Sequence, residues 1–498
     1  MSNEINLLTF TPIAAVLLIL AAPARLARVM ALIGALVSLG LTLHLLQNFD
    51  AVNSINFAYK AKWIPALTFS KYADIEYFVG LDAINALVLL LAALLAPLVV
   101  LASWDHKDRP RTYFALLSVQ FTGLFGVFTA LNFFHWFFYW ELSLVPAFFL
   151  IKMFGHGEDR HRAALNFFLF TGIGSVAMLL GFLFLYRQTG TFDFIVLSKM
   201  GIEVHPLIFC AILAGLWVKV PLVPLHIWQA PAYAAAPIPV AMLLTGAMSK
   251  MGVYGFLRLI VPIFPSQLQQ HAGVLMAFAL LTILLGAFLA LRQTDLKRIL
   301  AFSSLNHVAY CVLGIGTLGI AARGLPLDAH ALASQGVILQ MFAHGIAAAG
   351  LFYLVGRLEA RTGNRGLNDF GGLSAITPGL AAAFYILVFC SLGLPFLAGF
   401  AAEFLIFSGS FAVAPGVTTA ATLGLLATAV FLLTMLQRIF TGATEQSCQS
   451  MKDLTFNEAL VVIPIIFFVL WAGVAPGHWL AWSDNLGPTL QLIQDTTP

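Results

Sequence analysis

Six ionisable residues stand in the middle of long apolar runs: Glu141, Lys219, Lys250, His307, His344 and Glu403. Each is of a type that holds or passes a proton. A charge at the centre of a bilayer costs at least about 2.5–3.5 kcal/mol on insertion scales, so an ionisable residue there marks a functional position by default. Burial disfavours the charged form of such a group. Glu141, in FFHWFFYWELSLVPAFFLI, therefore needs either a cation or a proton. A carboxylate close to a buried lysine holds the lysine's proton, and moving it away releases that proton, which makes a switch from two charges. Histidine passes a proton at small cost near neutral pH, and His307 and His344 both lie mid-span. The expected chemistry is a proton relay in the plane of the membrane. Ser249, Ser303, Ser304, Asn306 and Gln340 are placed to hold water along it.

The segments that must position these groups are broken. Lys219 and Lys250 flank a run of prolines, Pro221, Pro224, Pro231, Pro237 and Pro239, and Glu403 follows Gly393-Leu394-Pro395. Proline frees backbone groups, which is tolerated at membrane depth only where protein or a wet cavity satisfies them. Pro221, Pro224 and Pro395 are thus expected to form gating breaks. His226, just past the second proline, is expected to gate a cytoplasmic inlet.

With 498 residues, 60% hydrophobic and 9% charged, and a mean hydropathy of +0.93, the chain reads as an all-α polytopic membrane protein. The first apolar run, Leu7 to Ala22, lacks a basic leader and is expected to stay as a helix. A net charge of +3 argues for no nucleic-acid partner, and four scattered cysteines without a CxxC support neither a metal nor an iron–sulfur site. No GxGxxG or Walker sequence stands in a strand–helix context, and no extramembrane segment is long enough for a catalytic domain.

About fourteen spans of about 20 residues can be drawn. Residues 1–105 hold helices 1–3, residues 112–262 a first five-helix repeat, residues 273–440 a second, and residues 441–498 a loop and the last helix. Spans 7 and 12 are the broken ones, in corresponding positions of the two repeats, which points to an inverted repeat with its site at the breaks. Residues 47–79 read as an outer loop. Loops after odd-numbered spans hold about sixteen Lys and Arg, and the opposite loops about seven, including Lys60, Lys71, Arg258 and Arg323. The positive-inside bias puts both termini outside the cytoplasm.

FFYWELSLVPAFFLI, RAALNFFLFTGIGS, VKVPLVPLHIW, SKMGVYGFLRL, DLKRILAFSSLNHVAY, QMFAHGIAAAGLFYLVG and LAGFAAEFLIFSGSF resemble, as an ordered set over about residues 80–440, the antiporter-like proton-translocating subunits of respiratory complex I. Glu403 and the WELSLVP form resemble the M-type chain (mitochondrial chain 4); the L- and N-type chains usually have lysine at the former position. The resemblance implies fourteen helices with two inverted five-helix repeats. It implies that Glu141 and Lys219 form the input pair, Lys250 the central relay, His307 and His344 its extension, and Glu403 the terminal site. No redox cofactor is implied on this chain; NADH, FMN, iron–sulfur clusters and quinone belong to partner subunits. The implied partners are the L- and N-type chains, the peripheral arm and membrane lipid, in a bacterial inner (plasma) membrane.

Two stretches depart from the family pattern. The usual LPDAH after LHIW is here Gln229-Ala230-Pro231-Ala232-Tyr233, and Asn166 replaces a usual lysine. Other readings of the same residues are a subunit of a related complex fed by ferredoxin, F(420), formate or hydrogenase, or of the photosynthetic relative; a cation–proton antiporter chain; and a structural spacer.

Overall fold

The structure is a computed structural model and describes residues 3–51, 54–64, 75–320, 328–445 and 448–486. The chain is a bundle of helices: α1 (Glu4–Ala21), α2 (Ala27–Gln47), α3 (Ala86–Ala102), α4 (Pro110–Thr129), α5 (Phe133–Phe154) and α6 (Arg160–Thr189). Then come α7 (Pro206–Lys219), the short α8 (Gln229–Ala235), α9 (Ile238–Ile263), α10 (Pro265–Leu291), α11 (Leu296–Leu318) and α12 (Asp328–Thr362). The last are α13 (Pro378–Ser391), α14 (Ala398–Val413), α15 (Pro415–Phe440) and α16 (Phe456–Val474). Among the described residues eleven helices are long and apolar enough to cross a membrane, and α3, α7, α13 and α14 are shorter apolar helices. The expected breaks are present, between α7 and α8 and between α13 and α14.

Among the long helices hydropathy runs against burial, although the short and very apolar α3 is buried along nearly its whole length. α10 is the more apolar, with a mean hydropathy of 2.7, yet only 44% of its window is buried; α9, at 1.3, is wholly buried, as is α12. In lipid the apolar helices belong outside, and helices with polar and ionisable side chains must face the bundle interior. α9, α11 and α12 form that interior.

α9 and α12 touch at Gly246 and Gly345. A Cβ on Gly345 would lie 2.6 Å from the Gly246 carbonyl oxygen and 2.5 Å from a Leu91 methyl, so only small residues permit the crossing. The crossing sits one residue from both Thr245 and His344.

Two expectations are corrected. The stretch read as outer loop contains an antiparallel hairpin, β1 (Asn56–Ile64) with β2 (Ile75–Leu81), in a register that places Lys60 opposite Phe78. Burial alternates along NFAYKAKWI, the period of a half-covered strand. Lys60 ties the hairpin down, 2.8 Å from both Glu76 and Asp193. Arg258, counted as a loop cation, is instead buried inside α9. Its guanidinium meets Asp82 bidentately, with two contacts of 2.6 Å, and its Nε donates to the Tyr254 hydroxyl at 3.0 Å. Lys71 and Arg323 lie outside the described residues.

Candidate functional site

Lys250 owes its surroundings to irregular backbone. α9 contains two π turns, Leu244–Met248 and Phe256–Ile260, and such wide turns recur at functional sites because they displace carbonyls from the regular ladder. In the first, the Ser249 N–H donates to Leu244 O at 3.0 Å. Thr245 O is left to accept from Lys250 Nζ at 2.6 Å and from the Ser249 hydroxyl at 2.9 Å. Lys250 Nζ also lies 3.3 Å from the Ser249 hydroxyl and 2.9 Å from His344 Nδ1. Thr245 and Ser304 hydroxyls, 3.0 Å apart, join α9 to α11.

From His344 the line continues to His307. Their rings are parallel, tilted by 6°, with centroids 5.1 Å apart. His307 Nδ1 is 2.7 Å from Ser303 O and Nε2 is 2.8 Å from Ser391 O. Carbonyl oxygens only accept, so both contacts are satisfied only when the ring carries two N–H groups. Ser391 ends α13, and its carbonyl is one of the orphans that a helix C-terminus leaves. The break therefore supplies His307 with an acceptor that an unbroken helix would have used itself.

Glu403 follows on α14. Its Oε1 is 3.6 Å from His307 Nε2, an ion-pair distance rather than a hydrogen bond. Glu403 is 5% exposed, and its Oε1, Gln340 Oε1, Asn306 Oδ1 and the Tyr310 hydroxyl are buried without hydrogen-bond partners. Buried polar atoms are nearly always paired with protein or water, so this cluster is suited to bridging waters. Gly393 has φ +71°, and a Cβ there would sit 2.8 Å from Glu403 Oε2.

Glu141 and Lys219 form a second, looser group. Lys219 ends α7, where a cation suits the negative end of the helix dipole. Its Nζ is 4.8 Å from the Trp140 ring centroid and has no hydrogen-bond partner. Glu141 lies beside Ser175 and within electrostatic range of Lys219, but its Oε1 is unpartnered and no ion pair joins the two residues. The Trp140 indole N–H donates to Ser175 at 2.9 Å.

The structure thus gathers Lys250, His344, His307 and Glu403 into one line and leaves Glu141 and Lys219 as a neighbouring pair out of direct contact. Of the break residues, Pro221 is buried, while Pro224 and Pro395 are exposed on the outside of the bundle. His226, two residues past Pro224, is half-buried with Nδ1 unpartnered, and no hydrogen bond links it to the line from Lys250 to Glu403. Trp140, Tyr310 and the π turns were not singled out from the sequence. Trp140 had a signal, the aromatic next to Glu141. Tyr310 had one too, three residues past His307 and so on the same helix face.

Among the described residues no cluster of three or more His, Cys, Asp or Glu side chains is arranged to hold a metal ion.

Residues 130–431 match the family described as NADH:quinone oxidoreductase/Mrp antiporter, TM. The NADH-quinone oxidoreductase subunit M of Pseudomonas aeruginosa is 35% identical over 432 residues, covering 84% of this chain and 81% of the relative. The F(420)H(2) dehydrogenase subunit M of Methanosarcina mazei is 33% identical over 468 residues, covering 91% and 90%. A chain of respiratory complex I from Thermus thermophilus with bound NADH superposes with a TM-score of 0.87 at 28% identity, over 98% of this chain and 99% of that one.

Proposed function

The chain belongs to the membrane family of NADH:quinone oxidoreductase and Mrp antiporter subunits, and from that membership we propose that it is the M-type proton-translocating subunit in the membrane arm of an NADH–quinone oxidoreductase. The observation that carries the reading is the contact line Lys250–His344–His307–Glu403, which spans α9, α12, α11 and α14.

In this reading quinone reduction in partner subunits drives a rearrangement of charge along the arm. Protonated Lys250 donates from Nζ to His344 Nδ1, and the Ser249 hydroxyl and Thr245 carbonyl hold Nζ in place while it does so. The stacked rings of His344 and His307 do not hydrogen-bond directly, so a bridging water carries the proton between their edges. His307 then faces both the Ser391 carbonyl and Glu403, and Glu403 is the last acceptor on this chain. Glu141 biases Lys219: with the carboxylate near, Lys219 keeps its proton, and with it withdrawn the proton leaves toward Lys250. The gap between Glu141 and Lys219 corresponds to the open state of that switch.

The two breaks and the packing of neighbours support two inverted repeats, 112–262 and 273–440. α4 packs on α5 as α10 packs on α11, and the first half of each broken helix packs on the helix before it, α7 on α6 and α13 on α12. Counting each broken pair once, the described helices support fourteen crossings. The Lys and Arg distribution, with Arg258 removed from the outer loops, supports both termini on the outer face of the inner membrane. L- and N-type chains are the proposed neighbours within the arm, and the NADH, FMN, iron–sulfur and quinone sites belong to other subunits.

The test is purification of the tagged chain in gentle detergent, followed by NADH–quinone reductase activity and the proton-to-electron ratio in proteoliposomes. Glu141→Gln and Lys219→Ala complexes are expected to assemble and lose pumping. A wild-type ratio in both would refute the residue assignments. A second reading, a complex with another electron donor, draws on the archaeal F(420)H(2) dehydrogenase relative. A large purified assembly that does not oxidise NADH would select it.

A further inference from the structure

The unpartnered oxygens around Glu403 share one gap. Tyr310 lies beside Asn306 and Thr428, and Gln340 lies beside the Glu403 carboxyl. Gly424 on α15 leaves the space. A Cβ there would sit 3.4 Å from Asn306 Oδ1 and 3.5 Å from the Tyr310 hydroxyl, and would also clash with Ile283. Asn306 and Tyr310 are both wholly buried, so neither oxygen finds bulk water.

The direction of the Asn306 amide follows from its neighbour. Thr428 donates its one hydroxyl proton to Gly424 O at 2.8 Å, and its oxygen lies 2.6 Å from Asn306 Nδ2. That oxygen can only accept there, so the amide NH₂ faces Thr428 and Oδ1 faces the gap. Of the four unpartnered atoms, those of Gln340, Asn306 and an ionised Glu403 accept, and the Tyr310 hydroxyl alone donates. The Tyr310 ring is fixed, edge-on to His307 at 5.6 Å and to Phe407 at 5.2 Å, while its O–H bond still rotates.

We propose that Tyr310 is a positioning residue for Glu403: its hydroxyl donates to Asn306 Oδ1 while Glu403 carries a proton, and turns through a pocket water to the carboxylate once that proton has left. This rests on the proton-translocation reading above. Glu403 gives its proton to water and Tyr310 keeps its own, so only the direction of one O–H bond changes. A donor that arrives as the charge appears stabilises the carboxylate without holding it ionised beforehand. Thr428 acts through Asn306, by keeping the amide NH₂ out of the gap. The titratable groups facing Glu403 are His307, Tyr310 and Cys311 on α11 and Cys390 on α13; His344 and Lys250 stand behind His307.

A packing role for the ring is the competing explanation. Tyr310→Phe keeps both ring contacts and removes the hydroxyl. Thr428→Val keeps the shape of residue 428 and frees the Asn306 amide, whose NH₂ then turns toward the acceptors. The experiment measures the proton-to-electron ratio of the whole complex in proteoliposomes over a pH series, with Glu403→Gln as reference. A carboxyl that cannot release its proton stops pumping, so the ratio falls on the acid side. Without the Tyr310 donor the proton is held to higher pH, and the acid limb is expected to move up by about one pH unit or more, the worth of one hydrogen bond to a charged group. With an extra donor in Thr428→Val the limb is expected to move down. A limb that stays in place in Tyr310→Phe, or that moves the same way in both variants, refutes the positioning role. A lower ratio at every pH with the limb unmoved assigns the hydroxyl to packing and refutes it too. If Glu403→Gln itself pumps as wild type, the relay reading at Glu403 falls first. Should Tyr310→Phe not assemble, the direction of the shift in Thr428→Val decides alone.

Discussion

Lys250 Nζ and His344 Nδ1 are 2.9 Å apart, a separation at which both groups cannot be cationic. Two unit charges at that distance repel by about 6 kcal/mol at an effective dielectric constant of about 20, which is roughly four orders of magnitude in population. The pair therefore holds one proton that is either on the ammonium, with His344 accepting, or on the imidazole, with the amine accepting. His344→Gln separates holding from passing. The glutamine oxygen still accepts from the ammonium, but the side chain cannot take the proton onward. The complex is expected to assemble, keep NADH oxidation by its peripheral arm, and lose coupled proton transfer by about 100-fold or more. His344→Arg is the complement. It fixes a second positive charge against Lys250 at a cost approaching the same 6 kcal/mol, and the complex should not assemble unless Lys250→Met accompanies it. Proton-to-electron ratios in proteoliposomes and the yield of intact complex on native gels are the two readouts. Wild-type pumping in His344→Gln, or normal assembly of His344→Arg with Lys250 present, would refute the one-proton reasoning.

Removing one partner of the buried Arg258–Asp82 pair leaves an uncompensated charge, so Asp82→Asn should destabilise the complex by about 3–5 kcal/mol. Thermal inactivation should shift while the pumping ratio of surviving complex stays unchanged. Gly393→Ala should cost about 1–2 kcal/mol for the left-handed backbone and push the Glu403 carboxylate aside, lowering pumping more than assembly. Asp453, in the loop before α16, accepts from the N–H groups of Gly379, Leu380 and Leu454 at 2.8 Å each. Partial burial pushes its carboxyl up, but those N–H groups together with Arg361 outweigh it and hold it below the usual carboxylate range. Its contribution to stability is therefore present above the ordinary carboxylate pKa of about 4 and lost as pH falls through the lowered folded value. Thermal midpoints measured from pH 6 down to pH 3 should fall less in Asp453→Asn than in the parent chain.

Much of the helical framework was legible in the sequence. A segment in lipid must satisfy its own backbone, so each long apolar run can only be a helix. Prolines and the Gly393-Leu394-Pro395 sequence place the breaks where regular helix is impossible. The six ionisable residues of the proposed relay stood out for a related reason, since a Glu, Lys or His in such a run is too costly to be incidental. The hairpin was legible in principle, because Tyr59, Ala61 and Trp63 alternate with Lys60 and Lys62 at the period of a strand; the shortness of the stretch hid it among loop residues.

Tertiary structure alone decided which of those residues touch. In a soluble protein the apolar stripe of a helix names its buried face, but lipid is as apolar as a protein core, so hydropathy does not say which side of the buried α9, α11 or α12 meets which neighbour. Lys250 meets His344, 94 positions away, because Gly246 and Gly345 let two helices cross in near contact. Arg258 sits on a π turn against Asp82 rather than in a loop, a pairing between residues 176 positions apart. Sequence determined that charges would be buried and that two helices would break. Packing determined which of them come into contact, Lys250 with His344 and Arg258 with Asp82.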